Sequence, residues 1–139
     1  MSLRPFLDAN VLFTAAYNPK GLAGLLFDLG KRKAISLVTS SLALEEARIN
    51  LEVKDPSALA DLESLIKSLE IVQSPAHFPA ALELPPKDLA IFAAAVAGRV
   101  THLLTGDEKH FGRYFNKPSA TRGIIIQSVR DFFVDNLGL

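Results

Sequence analysis

His102-Leu103-Leu104-Thr105-Gly106-Asp107 is an apolar run that closes on an acid, and Pro5-Phe6-Leu7-Asp8 has the same form near the start of the chain. Short apolar runs bounded by turn residues predict buried strands. In open parallel sheets, ligands bind outside the carboxyl ends of such strands, where the strand order switches. Working outward from these two runs, further strands are predicted at 34–38, 70–73 and 123–127, with the run before Asp107 beginning at Val100. Helices fall between them. Apolar residues at 22, 25, 26 and 29 mark a helix over 21–32. Thr39, Ser40 and Ser41 offer an N-cap for a helix over 42–51. Asp55-Pro56-Ser57 interrupts that helix and starts another, in which Leu59, Leu62, Leu65, Ile66 and Leu69 share a face. The stretch 74–86 carries Pro75, Pro79, Pro85 and Pro86 and reads mainly as loop. An alanine-rich helix over 87–97 ends near Gly98, 106–115 is a loop or short helix, and Ser128 caps a last helix through Asn136. Alternating strands and helices predict a three-layer α/β/α domain over 1–139, with a central, mostly parallel, five-stranded sheet covered on both faces. The apolar faces at 22–29 and 59–69 suit either the core or a dimer surface.

Composition narrows the function classes. A chain of 139 residues can bury a substantial core, and 49% hydrophobic residues argue against disorder. No apolar run approaches the roughly 18–20 residues that span a bilayer. Met1-Ser2-Leu3-Arg4 lacks a signal-peptide pattern, so a cytoplasmic protein without membrane association is expected. The absence of cysteine excludes a disulfide scaffold, thiol catalysis and a Cys-ligated zinc site. Net charge is zero, which does not indicate a nonspecific polyanion binder, but the charge is unevenly placed. Residues 44–70 hold seven acids and three bases, whereas 109–130 hold five bases and no acid. A local basic stretch can serve a phosphate-bearing partner in a neutral chain.

Two further acids join Asp8 and Asp107. Glu46 borders the apolar residues Leu42, Ala47 and Ile49, and Asp88 opens the run from Leu89 to Val96. Individually each has an ordinary explanation: an Asp after a strand caps the next turn, and an acid opening a helix answers its dipole. Together they suggest a shared pocket. Crowded carboxylates raise one another's pKa values unless a cation offsets them. Mg²⁺ and Mn²⁺ prefer such oxygen ligands, and their commonest use is phosphoryl transfer, where they orient water and stabilise charge on the phosphate. Glycine-rich phosphate loops and the Gly-x-Ser-x-Gly elbow are absent. Paired carboxylates for sugar hydrolysis fit poorly with the fold and size. Of the histidines, His77, His102 and His110 lack close metal-ligand spacing; His102 reads as structural, and His110 stands near Asp107.

These blocks resemble the PIN domain family of metal-dependent nucleases. Residues 6–12, Phe-Leu-Asp-Ala-Asn-Val-Leu, resemble the family's opening strand. Ser40 followed six residues later by Glu46 is similar to the second block and selects Glu46 over Glu45. Pro86-Lys87-Asp88 before the alanine-rich helix resembles the third, and Thr105-Gly106-Asp107 the fourth. Ile124-Ile125-Ile126 followed by Ser128 and Phe132-Phe133 resembles the final strand and helix. One departure stands out: Ala9 replaces the hydroxyl residue usual after the first Asp, which removes a potential hydrogen bond to it.

The resemblance implies a Mg²⁺- or Mn²⁺-dependent ribonuclease cutting single-stranded or structured RNA. Many small members are toxins of toxin–antitoxin pairs, the VapC-like group, often dimeric and held by an antitoxin; others process RNA. On this reading Asp8, Asp88 and Asp107 coordinate the metal, Glu46 coordinates it or positions the attacking water, and Asn10 and Thr105 orient the ligands. Lys109, His110 and Arg113 would meet the RNA backbone. Phe111, Tyr114 and Phe115 either stack on bases or, more commonly for such aromatics, anchor their loop in the core. Two rivals accompany this reading. A phosphatase of the haloacid dehalogenase type would need a second Asp where Asn10 stands. A metal- or RNA-binding scaffold with a degenerate site is favoured by Ala9.

Overall fold

In a computed structural model, Pro5–Leu7 (β1), Leu37–Ser40 (β2), Leu69–Val72 (β3), His102–Leu104 (β4) and Ile125–Gln127 (β5) form one sheet in the order β3-β2-β1-β4-β5. Residues 2–78 and 81–139 are described; Met1, Ala80 and the predicted loop proline Pro79 lie outside the described residues. Every strand pair is parallel. The inner strands β1, β2 and β4 are buried at every residue, as expected of a sheet covered on both faces. The edge strand β3 is only partly covered.

The helices are Ala9–Tyr17 (α1), Leu22–Lys31 (α2), Ser41–Lys54 (α3), Leu59–Ile66 (α4), Pro86–Ala97 (α5), Glu108–Phe111 (α6) and Val129–Leu137 (α7). Helix α1 packs against α2, α3 and α4, whereas α5 lies on β2 and β3. Ala93, Ala94 and Ala95 of α5 are buried, and their small side chains allow the helix close to the sheet. At its end, a Cβ on Gly98 would make ordinary van der Waals contact with Val38 and Val72, at 3.4 Å and 3.5 Å.

Several boundaries differ from expectation. The first strand, Pro5–Leu7, ends where the apolar run closes on Asp8, but α1, which was not anticipated, begins at Ala9. The signal was local: Val11, Leu12, Ala15 and Ala16 have helical spacing and are buried. Asp8 caps this helix, its Oδ1 accepting the Ala9 N–H at 2.7 Å. Strand β2 lies later than 34–38 because Thr39 and Ser40 belong to it. Both polar side chains are satisfied while buried: Thr39 Oγ1 donates to the Leu7 carbonyl at 2.7 Å, and Ser40 Oγ accepts from Ala43 N at 3.1 Å, capping α3. Likewise β4 starts at His102 and β5 at Ile125, the latter after a turn in which Gly123 has φ +84°. The predicted apolar faces contribute to the core through Leu26, Phe27 and Leu62, while Leu22 and Leu25 remain exposed. No described helix is long and apolar enough to cross a membrane.

One glycine sets how closely α2 seats on the preceding loop. A Cβ at Gly24 would lie 1.9 Å from the Pro19 carbonyl oxygen and 2.6 Å from its carbon, both backbone atoms. Gly24→Ala is therefore expected to lower stability by at least about 1–3 kcal/mol, the usual cost of forced overpacking. Gly112→Ala, whose nearest neighbour would stand at 3.8 Å, is the control. Urea melts of the two variants compare them directly, and equal midpoints would refute the close approach.

Candidate metal centre

The register of β1 and β4 builds the first half of the site. Leu7 is opposite Leu104, so the next residues, Asp8 and Thr105, leave the sheet side by side at its switch point. Thr105 Oγ1 donates to Asp8 Oδ2 at 2.8 Å and accepts the Asp107 N–H at 3.0 Å. Asn10 ties the two loops together: its Oδ1 accepts the Gly106 N–H at 2.7 Å, and its Nδ2 donates to Thr105 Oγ1 at 3.2 Å and, more weakly, to Asp8 Oδ2 at 3.4 Å. Asp8 is thus oriented by the backbone of Ala9 and the hydroxyl of Thr105, without a hydroxyl at position 9. Ala9 itself is buried in the core.

Helices α5 and α6 supply the second half. Asp88 lies in the first turn of α5 and Asp107 caps α6. Between them stands His110, its Nδ1 3.0 Å from Asp88 Oδ2 and 2.9 Å from Asp107 Oδ2. One potential ligand atom from each of Asp88, Asp107 and His110 lies within 4.8 Å of the others. Glu46 is outside this trio and pairs with Lys87. It is half-buried whereas Glu45 is exposed, so of the two it is Glu46 that faces inward. Its apolar neighbours Leu42 and Ile49 are themselves exposed; Ala43 and Ala47 form the buried side of α3. Glu46 lines a groove with Asn10, Thr14, Asn50 and Lys54.

Burial pushes the Asp8 carboxyl above its ordinary pKa; Thr105 and Ala9 oppose the rise, and the charges of Asp88 and Asp107 add to it. Burial likewise raises Asp88, with His110 and Lys87 opposing and Asp107 reinforcing. The charge of Asp107 acts on both Asp8 and Asp88, and a cation beside these acids would relieve that repulsion. A carboxyl raised in the folded state stabilises the fold below its unfolded pKa, near 3.8, and that contribution is lost as pH rises through the folded value. In chelator-treated protein, the melting temperature of Asp88→Asn relative to wild type should therefore become more favourable from pH 4 to pH 7. A difference that moves the other way contradicts the desolvation account.

A family model described as PIN domain matches residues 4–109, most of the chain. The chain belongs to the PIN domain family. Its fold is similar to three solved structures. VapBC2 from Rickettsia felis, bound to a DNA fragment from their promoter, has a TM-score of 0.64 at 19% identity, covering 91% of this chain and 98% of that one. PAE2754 from Pyrobaculum aerophilum has a TM-score of 0.56 at 19% identity, with both chains covered completely. VapBC-1 from nontypeable Haemophilus influenzae has a TM-score of 0.55 at 14% identity, covering 92% and 99%. No curated protein sequence matches the chain.

The remaining residues singled out in the sequence are scattered around this PIN domain's acidic cluster. Lys109 is exposed on α6, and Arg113 pairs with Glu83. Phe111 is fully buried, Tyr114 Oη accepts the Glu83 N–H at 2.6 Å, and Phe115 packs on the core beside Ile126. These aromatics anchor their segment. His102 is buried, its Nδ1 2.8 Å from Thr101 Oγ1 and its ring edge-on to Phe132, and burial lowers its pKa. Lys87 was not anticipated as a partner of Glu46, nor Asn50 and Lys54 as neighbours in the groove. A signal for the latter pair existed, since 46, 50 and 54 recur at four-residue spacing on one helix face.

Proposed function

We propose that this PIN domain, read as one nuclease unit over residues 1–139, is a ribonuclease that hydrolyses RNA phosphodiester bonds with Mg²⁺ or Mn²⁺. The observation that carries the reading is the approach of Asp88, Asp107 and His110 to within 4.8 Å of one another, in a domain whose family consists of nucleases. The donor set fits such an ion: carboxylate oxygens dominate it, and the charge of Asp107 raises the pKa values of Asp8 and Asp88. Asp88 and Asp107 would hold the ion with Asp8, which Thr105 and Ala9 keep in one orientation. A bound divalent ion would stabilise negative charge on the phosphate and leaving oxygen. Glu46, across the groove from Asn10, is placed to hold the ion or align an attacking water once Lys87 moves away. Asn10 has both ends of its amide engaged as a tie between loops, which argues against the phosphatase alternative. Lys109, His110 and Arg113, on α6 and the turn after it, would meet the RNA backbone.

Two structural neighbours carry the VapBC name, which supports a small antitoxin protein as partner; a homodimer in the cytoplasm is the assembly this reading adopts. The test is cleavage of single-stranded and structured RNA by purified protein. Cleavage is expected with Mn²⁺ or Mg²⁺ and none with excess EDTA. Metal binding without turnover on either RNA would support the scaffold reading instead, and hydrolysis of a small phosphate ester alone would support the phosphatase.

A further inference from the structure

We propose that His110 is itself a ligand of this metal centre, through Nδ1, and that it shifts the site's preference away from Mg²⁺ toward later divalent ions such as Co²⁺. The proposal rests on the metal-dependent reading above. Cis ligands about 2.1 Å from an octahedral ion stand about 3.0 Å apart, a factor of √2. Nδ1 lies 3.0 Å from Asp88 Oδ2 and 2.9 Å from Asp107 Oδ2, so two edges of such a coordination shell already have their lengths. In the metal-free protein the same spacing serves hydrogen bonding.

The position of the imidazole is built rather than incidental. Asp107 caps α6 by accepting the His110 N–H on Oδ1 at 3.1 Å, which leaves Oδ2 for the centre. The next residue, Phe111, is fully buried and pins the turn. His110 reaches the centre on a short side chain with two torsions, and the side chain is 38% exposed, within reach of an ion arriving from solvent. Lys87 on Glu46 is the contrast. Its long, mostly exposed side chain is 58% accessible and can swing away, whereas His110 is held by two carboxylates at once. Imidazole is a softer donor than carboxylate, so its presence favours Co²⁺ and its neighbours over Mg²⁺.

The test uses the full chain at one fixed pH. Co²⁺ binding is followed by its visible absorption and Mg²⁺ binding by calorimetry, in wild type, His110→Ala and His110→Asn, with thermal melts as the folding control. His110→Ala should weaken Co²⁺ binding by at least the roughly 10–100-fold that loss of an outer-shell partner costs, and Mg²⁺ binding much less. His110→Asn, which offers an oxygen in place of Nδ1, should recover part of the affinity with a changed Co²⁺ spectrum. Unchanged Co²⁺ affinity in His110→Ala would overturn the proposal. So would tighter binding, which would make His110 a counter-charge that the ion displaces. Either result leaves the nuclease reading standing, whereas a wild-type protein that binds no ion defeats both.

Discussion

Asp8→Asn leaves the protein folded and lowers Mn²⁺-dependent RNA cleavage by at least about 10²–10³-fold, the scale for removing one electrostatic group from a reaction centre. Every polar group touching Asp8 is oriented as a donor: the Ala9 N–H, the Thr105 hydroxyl and the Asn10 amide. Such a shell suits an ionised carboxylate, which only accepts. Burial opposes that ionisation. The result is a carboxylate costly to keep charged, a cost that a nearby cation would offset. Asn removes the charge and keeps the shape. Its carbonyl oxygen can still accept the Ala9 N–H, and Asn caps helices as well as Asp does; its NH2 meets the Thr105 and Asn10 donors, a cost that loss of the buried charge offsets. Melting temperature should therefore change little while cleavage disappears. Gel assays in excess Mn²⁺, on a preparation free of contaminating nuclease, read the outcome; undiminished cleavage would remove Asp8 from the mechanism.

Thr105→Val should cost both stability and activity. The hydroxyl is fully buried and serves three partners: it donates to Asp8 and accepts from the Asp107 N–H and the Asn10 amide. Valine matches the shape but supplies none of these bonds, and each buried group left unsatisfied costs about 1–3 kcal/mol. Asp8 loses its principal side-chain donor, so its orientation loosens. Misplacing a ligand's supporting partner lowers metal affinity or activity by about 10–100-fold. Thr105→Ser retains the hydroxyl and should recover most of both. Denaturant melts and Mn²⁺-dependent cleavage measured on the three proteins separate the effects. A Val variant with wild-type stability and rate would show that the network is dispensable.

Much of this architecture was legible along the chain. Runs closing on Asp8 and Asp107 marked two strand ends, and the six-residue offset from Ser40 in the family resemblance selected Glu46, which is half-buried while Glu45 is exposed. Helix α1 was not anticipated, although the spacing of Val11, Leu12, Ala15 and Ala16 is helical. Strand β2 was displaced because Thr39 and Ser40 look like cap residues by composition. Their burial depends on acceptors and donors in neighbouring elements, Leu7 for one and Ala43 for the other.

The sequence by itself determined the order of the strands, of the helices other than α1, and the four candidate acids. Periodicity, capping and turn chemistry act between residues a few positions apart and are written locally. Only the tertiary structure decided how those acids are grouped. Asp8 joins Thr105 because the register of β1 and β4 is set by packing across the sheet. Asp88 meets His110 because α5 and α6 dock with their amino-terminal turns facing one site. Glu46 stays with Lys87, outside the trio, because it comes from another helix on a different side of the groove. Contacts of about 3 Å between distant segments depend on how whole elements pack, and no window of the chain contains that information.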